Sequence, residues 1–180
     1  MTSSFDIRKG NESDLDSILE IVKLAIPLMH ESQNFQWDDE YPTREKFLDD
    51  ISKGFLYVCI LTTSDQPVKL VGFCAITTDQ DPEYADCGWD ITIMAIVPHR
   101  LCIHPHYRRQ GIAELFMNKA EYISKYEYHY NLIRVDTNKV NQSAQKLFIK
   151  LGYVYCGEIS LKCKAEGLRF CCYEKVLHDD

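Results

Sequence analysis

Apolar residues at Leu15, Ile18, Val22, Ala25 and Met29 recur at three- and four-residue steps, the period that gathers one stripe on a helix face. Asn11 and Ser13 stand just before the stripe as candidate N-caps. Residues 5–9, ahead of them, predict a short strand. Residues 30–41, HESQNFQWDDEY, follow no period and mix aromatics with carboxylates, which predicts a loop long enough to serve a function. Pro42 and Thr43 then start a second helix that runs to about residue 53.

The runs FLYVCIL (55–61) and VKLVGFCAI (68–76) are rich in β-branched and aromatic residues and flank the turn residues Ser64, Asp65, Gln66 and Pro67, so they predict a hairpin. A third run, 91–103, predicts a long strand ending at His104 and Pro105. The period changes at Gly111, after which Ile112, Leu115, Phe116, Ala120 and Ile123 share one helical face. A strand over 132–137 follows, then a short helix opened by Asn141 with Ala144, Leu147, Phe148 and Leu151 inward. Gly152 stops that helix in the C′ position. Two strands, near 153–161 and 168–176, complete a mixed α/β order that fits one domain over residues 1–180.

Composition narrows the function classes. A net charge of −7 argues against a nucleic-acid surface and suits a cationic partner. No apolar run approaches the length of a membrane span, and the first ten residues lack the apolar core of a secretory signal, so a cytoplasmic protein is expected. The eight cysteines contain no C-x2-C pair and lie mostly in strand-like runs, which predicts reduced thiols and no metal site.

The junction LCIHPHYRRQGIAELFM carries the most chemistry. A strand, a loop and a helix beginning at a glycine leave free N–H groups in the first turn with the positive end of the helix dipole behind them. Such a site favours an anion by about 0.3 to 2 kcal/mol from the dipole. Gly111 and Ala113 lack bulk where a phosphate must approach, and Arg108 and Arg109 can neutralise it. A Walker loop needs G-K-[ST] and a dinucleotide fold needs G-x-G-x-x-G; neither is present.

The sequence R-x-x-G-x-A, followed by the strand LIRVDT and the helix start NQSAQKLFIKLGY, resembles the GNAT superfamily of acyl-CoA-dependent N-acetyltransferases. Its pyrophosphate loop is [QR]-x-x-G-x-[GA], and its next helix reads N-x-x-A-x-x-[FL]-Y-x-x-x-G-[FY]. The motifs span residues 99–153. The resemblance implies a mostly antiparallel central sheet, splayed between two strands and covered by helices on both faces, with acetyl-CoA as cosubstrate and its pantetheine arm in the splay. It assigns cofactor contacts to Leu101, Cys102 and Ile103, to Arg109, Gln110, Gly111, Ile112, Ala113 and Glu114, and to Asn141, which is also a natural N-cap satisfied by its own helix. Phe148 stands where members with a general acid usually carry tyrosine, in the helix that flanks the cofactor.

Transfer to an amine of lysine-like pKa requires a deprotonation worth about 4.6 kcal/mol at pH 7, whereas the thiolate needs only about 2 kcal/mol of help. Asp136 matches a position where some relatives carry a catalytic carboxylate. His99 is a second candidate base, placed by two-residue alternation on the face of Leu101 and Ile103. Because Phe148 has no proton to give, either Tyr153 acts as acid or the thiolate leaves unassisted. Trp37 and Tyr41, with Asp38, Asp39 and Glu40, form either an aromatic and anionic mouth for an amine or a core plug beside a solvated acidic face. The expected function is acetyl transfer to a small-molecule or protein amine in a ternary complex, by a monomer or homodimer. A non-catalytic acyl-CoA-binding module and a protein N-terminal acetyltransferase are the alternatives.

Overall fold

Two antiparallel sheets meet along one pair of strands. The computed structural model describes residues 3–178, so both ends of the expected 1–180 domain lie outside the described residues. Strands β1 (Ser3–Lys9), β2 (Leu56–Thr63), β3 (Lys69–Thr77) and β4 (Val97–Ile103) form the first sheet in that order; β5 (Leu132–Asn138), β6 (Val154–Ile159) and β7 (Phe170–Val176) form the second, in the order β5-β7-β6. Between β1 and β2 lie α1 (Leu15–Glu31) and α2 (Arg44–Ser52), α3 (Ile112–Tyr122) connects β4 to β5, and α4 (Gln142–Lys150) connects β5 to β6. Among the described residues no helix is long and apolar enough to cross a membrane.

Alternation along the strands feeds two cores. Leu56, Val58 and Phe73 pack against Leu15, Ile18, Val22 and Phe47 of α1 and α2, while Tyr57, Cys59 and Val71 face Ile112, Phe116 and Ala120 of α3. The first sheet is therefore apolar on both sides. A third cluster joins Val97 of β4 to Cys172 of β7 through Tyr84 and Trp89.

The sheets touch where Ile96 bridges Ile133 in parallel. The Ile96 N–H donates to Leu132 O at 3.0 Å, and the Arg134 N–H donates to Ile96 O at 3.0 Å. Beyond that point β4 pairs with β3 and β5 with β7, and the two strands part toward their C-terminal ends. This is the expected splay.

The expected strand over 91–103 is shorter than its apolar composition implies. Asp90 Oδ1 accepts from the Thr92 N–H at 2.9 Å and from its hydroxyl at 2.6 Å, folding the start of the run into a turn. Ile91, Ile93 and Met94 are exposed. A single Asx turn outweighs three apolar residues because they have no sheet face left to cover.

Strand β4 also carries a bulge. The register passes from Phe73 with Cys102 to Ala75 with His99, so Arg100 and Leu101 together face Cys74. Arg100 adopts φ +53°, sparsely populated for a side chain with a Cβ. Its guanidinium is anchored: Nε and Nη2 donate to the two Asp50 carboxylate oxygens at 2.9 and 2.8 Å, and Nη1 donates to Tyr41 Oη at 3.2 Å. Both charged side chains are almost fully buried, with 7% and 1% exposure. Just past the bulge, Gly72 lets β3 and β4 close up, since a Cβ there would lie 2.9 Å from Ile103 Cδ1 and 3.0 Å from Cys102 O.

Removing Asp50 would strand a buried cation, a loss of about 3–5 kcal/mol. Asp50→Ala is expected to lower the urea midpoint accordingly with little change in slope. A loss below about 1 kcal/mol, the range of exposed pairs, would show that the pair does not hold the bulge.

Candidate active site

The splay between β4 and β5 presents main-chain groups on one wall and a helix terminus at its mouth. The His104 N–H donates to Val71 O at 2.8 Å, so the polar groups of the preceding Ile103 point away from β3 by alternation, and those of Leu101 with them. These groups face the gap. The side chains of Leu101 and Ile103 pack with the α3 core, whereas the Cys102 side chain is buried on the α1 side, where burial pushes its thiol up to about 12. By the same alternation the Cys102 main-chain groups point toward Phe73 of β3, so Cys102, expected as a cofactor contact, offers the gap neither its side chain nor its main chain.

At the mouth, Gly111 is the N-cap of α3 with φ +81° and no side-chain cap. The first helical bond runs from Leu115 N to Gly111 O at 3.0 Å, which leaves the amides of Gly111, Ile112, Ala113 and Glu114 without intrahelical acceptors. Arg109 is also left-handed, at φ +60°. Backbone turning through residues of alternating hand makes a concave nest of N–H groups. Arg108, Arg109 and Gln110 are exposed around it, and Ile112 is buried beneath. Glu114 is tied to α4 by Lys150 at 2.6 Å. The turn thus carries unpaired first-turn amides beside two exposed arginines.

The bulge at Arg100 corrects the alternation that placed His99 with Leu101 and Ile103. His99 pairs with Ala75, which pairs with Leu56 of the α1 and α2 core, while Ile103 pairs with Gly72, next to Cys59 on the α3 side. The extra residue inverts the faces. His99 consequently lies on the opposite side of the sheet, where its Nε2 is 3.2 Å from Asp79 O.

Asp136 shares with His99 a charged neighbour, Asp81. Asp136 pairs with Cys172, on the face of Tyr84 and Trp89, while Val135 faces the α3 core. The buried Tyr84 hydroxyl donates to Asp136 Oδ2 at 2.5 Å. Burial, with Asp136 adding to it, pushes the Tyr84 phenol well up, so Tyr84 keeps its proton and donates it in a hydrogen bond to the Asp136 carboxyl oxygen. Asp81 lies close by; burial lifts it above the usual carboxylate range, His99 opposes the rise and Asp136 adds to it.

The remaining candidates are placed by their contacts. Trp37 is 5% exposed and stacks on Phe73 with centroids 6.3 Å apart, so it is a core plug and not part of a mouth. The Tyr41 hydroxyl accepts from Arg100 Nη1. Tyr153 is turned away: its hydroxyl donates to Glu121 at 3.2 Å, beside Lys175, which pairs with Ile133 at the closed end of the splay. Asn141 is satisfied within its own turn, accepting from the Ala144 N–H at 3.2 Å and donating to Thr137 at 3.1 Å. Phe148 is buried between Tyr153 and Tyr173.

Arg100, Asp50, Asp81, Tyr84 and Asn138 were not singled out from the sequence. The Asn138 side chain is 3% exposed at the end of β5, and its Nδ2 has no hydrogen-bond partner. The X-Asp-Pro context of Asp81 was a usable turn signal; the others act through contacts distant along the chain.

The sequence profile of the acetyltransferase (GNAT) domain matches residues 54–155. No curated protein is a significant match. A GNAT-family acetyltransferase from Streptococcus agalactiae is 24% identical, with TM-score 0.75 over 97% of this chain and 96% of that one. A candidate acetyltransferase from Staphylococcus aureus Mu50 is 31% identical, with TM-score 0.67 over 96% and 99%. A candidate acetyltransferase from Salmonella typhimurium, solved with its cofactor acetyl-CoA, is 12% identical, with TM-score 0.68 over 98% and 95%.

Proposed function

This chain belongs to the GNAT acetyltransferase family, and we propose that it transfers the acetyl group of acetyl-CoA directly to a primary amine in a ternary complex in the cytoplasm. The observation that carries this reading is the uncapped, left-handed turn at Gly111 at the mouth of a gap whose wall exposes Leu101 and Ile103 main-chain groups. Pyrophosphate fits the turn, with Arg108 and Arg109 as counter-charges, and the pantetheine amides fit the strand edge. The fold neighbour solved with acetyl-CoA supports the choice of cosubstrate.

On the other side of the sheet, Asp136 takes the amine proton, held in orientation by Tyr84. Asp136 is preferred to His99 because a hydroxyl from a fully buried ring fixes it at the parting of the strands. The amine nitrogen then attacks the thioester carbon, the C–S bond breaks with its electron pair leaving on sulfur, and the extra proton of the new amide nitrogen passes to the thiolate. With Phe148 apolar and Tyr153 bonded to Glu121, no side-chain acid is assigned. The need is modest, since a thiolate costs only about 2 kcal/mol at pH 7.

The same two residues favour a second reading, a non-catalytic acyl-CoA-binding module. Acetyl-CoA-dependent thiol release across amines and peptides, with a matching mass gain on the amine, separates the two; binding without mass gain supports the module.

Saturating coenzyme A is expected to raise the melting temperature, by about 2.7 kcal/mol of added stability at one hundred times Kd. Gly111→Glu should remove the rise through strain at positive φ and negative charge in the nest. An unmoved wild-type curve would defeat the cofactor assignment, and an undiminished rise in the variant would defeat the loop assignment.

For Asp136→Asn the expected loss in turnover is about 10²- to 10⁴-fold. The variant should also keep gaining rate as pH rises, because deprotonation by water improves with pH throughout. Wild-type turnover and an unchanged profile in Asp136→Asn would move the role to Asp81 or His99.

A further inference from the structure

The connection from β6 to β7, residues 160–169, sets one side chain against the loop that follows α1. Lys164 Nζ lies 3.4 Å from the centre of the Tyr41 ring and donates to Gln36 O at 3.3 Å. Gln36 in turn accepts the Asn138 N–H through Oε1 at 3.2 Å, so the ammonium is linked to the end of β5 through a single residue. An aromatic face and a main-chain carbonyl are the groups that hold an ammonium withdrawn from water.

Charge points the same way. Burial lowers the Lys164 pKa from the ordinary lysine value, Cys163 and Asp136 oppose that shift, Arg100 adds to it, and Asp38 opposes it. The Arg100 charge is itself taken up by Asp50. Asp38 and Asp136 act on Lys164, and Lys164 and Asp136 both act on Asp81, so carboxylates are in excess around this point once the Lys164 ammonium swings out. Lys162, two residues earlier, shows the contrast: its side chain is 90% exposed. Lys164 is the residue of this connection that fills a cation site.

We propose that Lys164 holds the place of the acceptor's ammonium, and that the acceptor is a small alkyl diamine that displaces it from Tyr41 and Gln36. This rests on the acetyl-transfer reading of the same cleft. A monoamine would neutralise fewer of the carboxylates, and an amino acid would add another. In the transfer the diamine nitrogen bonds to the acetyl carbon, the thioester C–S bond breaks with its electrons going to sulfur, and the nitrogen's proton passes to Asp136.

The test is calorimetric titration of coenzyme A-saturated protein with cadaverine, pentylamine, glutamate and a short lysine peptide, in wild type, Lys164→Gln, Lys164→Met and Lys164→Arg. An internal occupant reduces apparent affinity by the fraction of time it is displaced, so cadaverine should bind about three- to tenfold more tightly to the Gln and Met variants. Lys164→Arg should bind it as wild type does. Unchanged or weaker cadaverine binding in both neutral variants would overturn the proposal, as would a gain for pentylamine, glutamate or the peptide that equals or exceeds the gain for cadaverine. Turnover is scored separately: tighter binding without a mass gain on cadaverine would sustain this inference and sink acetyl transfer.

Discussion

Ile96 is the point at which one sheet hands over to the other, and the geometry of the cleft follows from how little pairing occurs there. Two main-chain hydrogen bonds join Ile96 to the β5 strand, enough to fix the strands side by side but not to continue the ladder. Past this bridge each strand keeps a partner on its outer side only. Unpaired N–H and C=O groups inside a protein are costly, so a gap lined by them is stable only where water or an extended ligand supplies the missing bonds. The pantetheine arm, with its amides along a chain, is such a ligand. The third cluster, Val97 with Tyr84, Trp89 and Cys172, joins the sheets beside the bridge and keeps the gap from closing or opening further.

The bulge at Arg100 gives the two sides of the cleft their separate chemistry. An unbroken β4 would put His99, Leu101 and Ile103 on one face. With the extra residue, Leu101 and Ile103 face the helix that carries the anion turn, while His99 faces Asp81, Asp136 and Tyr84. The backbone strain at φ +53° is held by an ion pair from which water is nearly absent. Such pairs add little net stability over an apolar packing of the same volume, so the pair's contribution is to conformational specificity. Tyr41, bonded to the same guanidinium, is fixed in turn and becomes a platform for a cation.

Much of this arrangement was legible in the sequence because it obeys local rules. The anion turn needs glycine at positive φ, small residues above it and a 3.6-residue period after it, and RRQGIA states all three within one segment. Strand periodicity located the seven strands, and the order of helices between them followed from caps such as Asn11, Thr43 and Asn141. The bulge was not legible because Arg100 is no glycine; its conformation depends on Asp50, fifty residues away. The same holds for the role of Lys164, which looks like a surface lysine until Tyr41 and Gln36 are placed beneath it. Trp37 misled for the reverse reason, since an aromatic beside three carboxylates gives no local sign of whether it points in or out. The apolar run at 91–94 misled because its hydrophobicity belongs to an exposed turn.

The central claim is that one cleft binds coenzyme A on the α3 side of the sheet and an amine on the other. A crystal structure with coenzyme A and cadaverine tests it most directly. The account predicts pyrophosphate oxygens on the amides of Gly111 to Glu114, pantetheine hydrogen-bonded to the main chain of Leu101 and Ile103, and an amine nitrogen between the sulfur and Asp136. Coenzyme A bound outside the gap between β4 and β5, or the amine on the α3 side of the sheet, would contradict it.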